Sequence, residues 1–275
     1  MVLHLHSSTS DTKIKGISPD EFPLIPRVEK ETSFEISAKD FAEAINCTVF
    51  SAATTGTRPV LSGVYMNVEK DILKMVATDS FRLAEKKTKL SQKVEKDVEC
   101  IVPVRTLLEL GRILDSKSDK DMVGVQIAKN QVLFTINGVE LISRLIEGKF
   151  PDYEKIIPKA TRTKFETSVD GLQQATKRVS LFAKENNNSI KLAATNDGRL
   201  QIATDETSVG EEHAEVAIKM EGDNNKIAIN SQYLLDVLSH LKENVKIEMD
   251  EKLTPVVVRP GKKQDYLYII MPLKV

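Results

Sequence analysis

The sequence has 275 residues, 41% hydrophobic and 29% charged, with 39 basic and 40 acidic side chains and no tryptophan. That length suits two domains of ordinary size. The balanced charge argues against a body that grips nucleic acid tightly, and 5% aromatic residues argues against a stacking platform for single strands.

No run of eighteen apolar residues is present to span a membrane, and MVLHLHSSTSDTK lacks the basic-then-apolar order of a signal peptide. A cytoplasmic location is expected. Cys47 and Cys100 sit inside apolar patterns and read as buried thiols rather than a disulfide framework.

Taken in chain order, LHLHSS and TKIKGIS predict one β-hairpin, followed by PDEFPLIP. FEIS at 34–37 then leads into a helix, with Ser37 and Asp40 at capping-box spacing ahead of Phe41, Ile45 and Val49. Strands follow at 61–68 and 75–79 and in RLAEKKTK. VPVRTLLELGRIL at 102–114 predicts a strand entering a second amphipathic helix, and VGVQIA, QVLFTI and VELISRLI predict three more strands.

The same order then recurs. FETS at 165–168 matches FEIS and precedes a helix carrying Leu172, Ala175, Val179 and Phe182. SIKLAAT, IATD and EEHAEVAIK predict strands. INSQYLLDVLSHL at 229–241 aligns without gaps to 102–114, placing Leu234, Leu235 and Leu241 on Leu107, Leu108 and Leu114. VKIEM, TPVVVRP and DYLYIIMP complete the copy, and PDYEKIIPKATRTK reads as a connection between copies. Short turns such as NDG at 196–198 exclude a purely parallel sheet. The expectation is an α+β protein of tandem domains, each with two helices on the inner face of antiparallel sheets. The divisions are 1–28 (a hairpin and linker left from a preceding domain), 29–151 and 152–275.

No phosphate-binding glycine loop, dinucleotide fingerprint or nucleophile elbow occurs, and the four histidines supply no metal set. No catalytic residue, metal or cofactor is expected. Asp79 and Asp205 read as turn-capping acids. On the helix at 169–184, Gln173, Lys177, Ser180 and Lys184 lie opposite the apolar side, with Gln174 and Leu181 beside them. On the helix at 105–114, Arg105 and Arg112 share the polar face with Glu109. By themselves these are ordinary solvated faces.

KIKGISPDEFPLIP, ATDSFRLA, IVPVRTLLEL, EGKFPDYEKIIP, INSQYLLDVL and the terminal YIIMPLKV, in this order and spacing, resemble the bacterial sliding clamp, the beta subunit of the replicative DNA polymerase. The likeness covers nearly the whole chain. It implies DNA-clamp domains of the middle and C-terminal types, with most of the family's first domain missing, and a non-catalytic processivity factor in DNA replication. The implied partners are double-stranded DNA without sequence preference, the replicative polymerase's catalytic subunit, the clamp loader, other clamp-motif proteins of replication and repair, and a second copy, which in the family closes a head-to-tail dimer ring.

The resemblance also implies residues. A hydrophobic peptide pocket would use Leu61, Thr78, Ser80, Phe81, Arg82, Leu83, Pro151, Lys155 and Ile156. From the second copy it would use Asn230, Tyr233, Leu253, Pro255, Ile269, Ile270, Met271, Pro272, Leu273 and Lys274. Phe81 stands where the family often has His or Tyr, and Lys155 where it often has Arg. Arg58, Arg105, Arg112, Lys177 and Lys184 would face DNA, with Pro59 and Val60 replacing loop aromatics next to Arg58. Leu181 and Phe182 match a subunit-interface pair. A truncated clamp that binds peptides but closes no ring is the alternative reading.

Overall fold

A computed structural model of the protein describes residues 1–21, 32–54, 58–118, 120–206, 210–262 and 264–274. Residues 22–28 of the expected first segment and Thr55–Thr57 of the TGTRPV stretch lie outside the described residues.

The chain opens on the hairpin β1 (Val2–His6) and β2 (Asp11–Lys15). The first repeat comprises β3 (Thr32–Ser37), α1 (Ala38–Thr48), β4 (Gly63–Glu69), β5 (Ile72–Thr78), β6 (Arg82–Lys89), β7 (Val98–Pro103), α2 (Val104–Asp115), β8 (Met122–Ile127), β9 (Gln131–Ile136) and β10 (Val139–Arg144). The second comprises β11 (Thr163–Ser168), α3 (Val169–Ala183), β12 (Ser189–Thr195), β13 (Arg199–Ala203), β14 (His213–Ala217), β15 (Lys219–Gly222), β16 (Asn225–Asn230), α4 (Ser231–Leu238), β17 (Asn244–Met249), β18 (Val256–Pro260) and β19 (Tyr266–Ile270).

Local chemistry sets the helix starts. Ser37 Oγ accepts from the Asp40 amide at 3.1 Å, and Ser168 Oγ accepts from the Gly171 amide at 3.2 Å. Asn230 Oδ1 takes the Gln232 amide at 2.8 Å at the head of α4. Each cap satisfies an N–H that the helix itself leaves open. Two strands depart from the sequence reading. The strand expected from Leu61 starts at Gly63, because Pro59–Ser62 wind into a 3₁₀ turn. EEHAEVAIK splits into β14 and β15, which join different sheets, while the Ile218 amide between them bonds to Gly198 O at 2.9 Å.

The helices pack in pairs, α1 on α2 and α3 on α4. Phe41, Leu107, Met66 and Phe134 fill the first core; Leu172, Leu192, Leu234 and Ile247 fill the second. Both cysteines are buried, and burial raises the Cys100 thiol to about 12. No helix among the described residues is long and apolar enough to cross a membrane.

The sheets show how the repeats join. Two four-stranded sheets, β10-β9-β8-β3 and β14-β13-β12-β16, belong to one repeat each. The remaining strands of the two repeats form one nine-stranded sheet, β15-β11-β17-β18-β19-β6-β5-β4-β7, which crosses the boundary where β19 pairs antiparallel with β6. Leu83 lies opposite Ile269, and Lys86 opposite Tyr266. On the outer side of the boundary Leu61, Val76, Leu83, Ile101, Val257 and Ile269 form a third apolar cluster, sealed by Phe150 and Tyr153. The connection therefore packs against the body: the Tyr153 hydroxyl donates to Glu85 at 2.6 Å, and both residues are buried.

Candidate functional site

Of the expected pocket residues, Thr78, Ser80, Phe81 and Arg82 lie on the β5–β6 turn, which hydrogen-bonds to itself. Thr78 Oγ1 accepts from the Ser80 amide at 3.1 Å and donates to Arg82 O at 2.6 Å. Asp79 Oδ1 accepts from the amides of Phe81 and Arg82, at 2.9 and 3.0 Å, so Asp79 caps the turn. Ser80 takes a left-handed φ of 81°, which turns the chain and leaves Phe81 59% exposed.

Arg82 reaches from this turn into the second repeat. Its Nε holds Asp79 Oδ2 at 2.9 Å and its Nη1 bonds to Asp236 on α4. Its guanidinium lies 4.7 Å from the Tyr233 ring centre and 5.7 Å from that of Phe50. Burial disfavours this charge, but Tyr268, Asp236 and Asp79 outweigh that and hold the Arg82 pKa above its ordinary value. A cation over two rings and against two carboxylates is oriented as well as neutralised.

The end of the chain is tied to the same turn. The Met271 amide donates to Phe81 O and the Leu273 amide to Ala228 O, both at 2.8 Å. Met271, Pro272 and Leu273 are half-buried, while Lys274 is exposed. Leu253 and Ile156 are exposed by 62% and 40%, and Pro255 and Asn230 are half-buried. Pro151 and Lys155 are exposed, with Lys155 Nζ 2.7 Å from Asp152.

Leu61, Leu83, Ile269 and Ile270 are closed over in this structure, each at most 3% exposed. Ile270 belongs to the second repeat's core, whereas the other three belong to the outer cluster. Two cavities lie on other parts of the body, the first of them reaching Pro151. One of about 870 Å³ lies along Tyr65, Glu99 and Phe150; one of about 430 Å³ lies beneath Cys47, Lys86, His240 and Tyr266.

Of the expected DNA-facing residues, Arg105 and Arg112 are exposed on α2, with Arg112 paired to Glu109 at 2.8 Å. Lys177 is exposed on α3, and Lys184 just beyond its end. Arg58 lies beside the β5–β6 turn, its Nη1 3.4 Å from Ser80 Oγ. Leu181 is 63% exposed; Phe182, beside it, is half-buried close to Gly210. Sequence reasoning missed Phe50, Asp236 and Tyr268, since an acid on a helix face and aromatics in apolar runs read as surface and core. Asp205 pairs with Lys191. Among the described residues, no three His, Cys, Asp or Glu side chains are grouped to hold a metal ion.

Residues 35–152 match the family model of the DNA polymerase III beta subunit central domain, and residues 154–274 match that of its C-terminal domain. The beta sliding clamp of Staphylococcus aureus (strain Mu50) is 32% identical over 271 residues, covering 98% of this chain and 71% of the relative. The DNA polymerase sliding clamp of Bacillus subtilis superposes with a TM-score of 0.93 at 29% identity, covering all of this chain and 72% of that one. The beta subunit of Thermotoga maritima gives 0.91 at 27% identity, covering all of this chain and 74% of that one. Two consecutive domain models, this identity and the shared fold place the chain in the DNA polymerase III beta-subunit family, the bacterial sliding clamps.

Proposed function

We propose that the chain is a non-catalytic, cytoplasmic processivity factor. It encircles duplex DNA and tethers the replicative polymerase, the clamp loader and other clamp-motif proteins through a peptide pocket at the boundary between its repeats. The observation that carries this reading is the docking of the Met271–Leu273 segment at the boundary beside the Phe81 turn. Met271 and Leu273 are hydrogen-bonded into the boundary beside the exposed Phe81. Apolar side chains above a buried cluster of Leu61, Leu83 and Ile269 suit a short peptide with aliphatic and aromatic anchors. Because these residues are closed over, binding would move Met271 or Phe81 aside.

Titration of a fluorescent peptide ending in Leu-Phe tests this. Saturable binding weakened about tenfold or more by Met271→Ala supports it. No saturation, or binding indifferent to Met271→Ala, rejects the pocket.

The exposed Arg105, Lys177 and Lys184 support weak phosphate contacts, as a sliding ring requires. The second reading is a peptide-binding module that closes no ring. Light scattering separates the two: a monomer at micromolar concentration supports the module, and a closed assembly supports the ring.

A further inference from the structure

The cavity of about 430 Å³ lies at the β6–β19 boundary, between α1, residues 240–244 and the ends of β18 and β19. Lys86 and Tyr266, directly opposite each other in the ladder, both line it. Strand alternation puts these two on the face opposite Leu83 and Ile269, so the cavity lies across the sheet from the outer apolar cluster. It shares no residue with the expected peptide pocket or with the expected DNA-facing set.

Two polar atoms here lack partners. Tyr266 is 2% exposed, and its hydroxyl has no hydrogen-bond partner among the described residues. Asp265 Oδ2 takes the Lys86 ammonium at 2.9 Å, but Asp265 Oδ1 is inaccessible and has no such partner either. A buried polar atom left unmatched destabilises the fold unless something supplies its partner. Burial pushes the Tyr266 phenol well above its ordinary pKa, so it keeps its proton and can donate. Asp265 Oδ1 can only accept. The cavity therefore calls for an occupant with one acceptor and one donor.

The charges around it are already matched. Lys86 is held between Asp265 and Glu43, the latter at 2.7 Å, and Lys262 pairs with Glu243 at 2.8 Å. His240, stacked on Phe50, is kept toward its neutral form by burial. A charged occupant would lose its hydration and find its counter-charge taken. Cys47, Leu241 and Pro260 add apolar wall.

We infer that this cavity is a binding site for a small, neutral cyclic amide, whose carbonyl accepts from the Tyr266 hydroxyl and whose N–H donates to Asp265 Oδ1. An amide carries donor and acceptor side by side without charge, and a ring covers the apolar wall. The volume suits a compact molecule of one or two rings. The occupant would touch α1 and Lys86 of the first repeat and His240, Asp265 and Tyr266 of the second. The inference does not depend on peptide or DNA binding; peptide titration can succeed or fail whatever its outcome.

Titration of the full chain with 2-pyridone, followed by ligand-observed NMR and by thermal unfolding, tests it. Saturable binding is expected with Kd of about 1 mM, the scale for so small a ligand. N-methyl-2-pyridone, which lacks the N–H, and benzoate, which is charged, should bind at least tenfold more weakly. Tyr266→Phe without ligand should melt no lower than the unmodified chain, since the hydroxyl it loses has no partner, yet should weaken 2-pyridone about tenfold. Cys47→Met, which fills the space from the α1 side, should abolish binding. The inference is overturned by absence of saturation, by equal binding of the N-methyl compound, or by binding indifferent to Tyr266→Phe or Cys47→Met. A Tyr266→Phe variant that melts lower also overturns it, because the hydroxyl is then already satisfied by water in the cavity.

Discussion

Arg82 and Asp236 are 154 residues apart in sequence and bonded to each other across the boundary between the repeats. Both are largely shielded, with side chains 12% and 27% exposed. Arg82→Met should lower stability by about 2 kcal/mol, because the apolar stem still packs while Asp236 and Asp79 lose their cation. Denaturant unfolding of Arg82→Met, Asp236→Asn and the double variant measures the pair. Additive losses would show that the two side chains are not coupled.

Tyr153 and Tyr65 each donate to a glutamate at 2.6 Å, but Glu85 is buried and Glu99 is exposed. Tyr153→Phe should therefore cost about 1.5–3 kcal/mol, leaving a carboxylate inside the protein short of a donor. Tyr65→Phe should cost less, since water replaces the lost bond. Equal shifts in melting temperature would count against the distinction.

His240 stacks on Phe50 at 4.4 Å, and burial lowers its pKa from 6.5. The folded state thus prefers the neutral ring. Stability from this site is complete above the unfolded-state value of about 6.5 and is lost as pH falls toward the lower folded value. His240→Phe, which keeps a flat ring on Phe50, should flatten the loss of melting temperature between pH 7 and pH 5. An unchanged profile would assign the acid sensitivity to other groups.

Gly222 has φ of 93°, and a Cβ there would come within 1.9 Å of Arg162 O. Both the backbone angle and the space reject a side chain. Gly222→Ala should destabilise by about 1–3 kcal/mol and raise amide exchange along β15, which pairs with β11 from Thr163 to Glu166. Normal protection there would show that the backbone yields.

Lys177→Glu with Lys184→Glu should weaken retention on circular duplex DNA most at low salt, if α3 faces the duplex. Arg112→Glu should do less, because Glu109 already offsets that charge. Retention indifferent to the lysine pair would remove α3 from the DNA-facing surface.

Much of the architecture was legible in the sequence, because its causes are local. Ser37 announces the helix it caps, apolar spacing marks the core-facing sides of the helices, and alternation marks the strands. The duplicated order FEIS and FETS, then VPVRTLLEL and INSQYLLDV, showed two copies of one unit. The order and spacing of KIKGISPDEFPLIP, ATDSFRLA, IVPVRTLLEL, EGKFPDYEKIIP, INSQYLLDVL and YIIMPLKV pointed to the family that the domain models then matched.

What only the tertiary structure decided is how the copies meet. Strand pairing leaves no local mark of which partner is chosen, so nothing near Leu83 indicates Ile269 as its neighbour, and RLAEKKTK and DYLYIIMP read as two separate strands. The left-handed Ser80, the Arg82 bridge to Asp236 over Tyr233 and the closed Leu61–Leu83–Ile269 cluster all depend on that choice. Local periodicity fixes which face of a strand is apolar; only the assembled sheet determines which strand lies beside it.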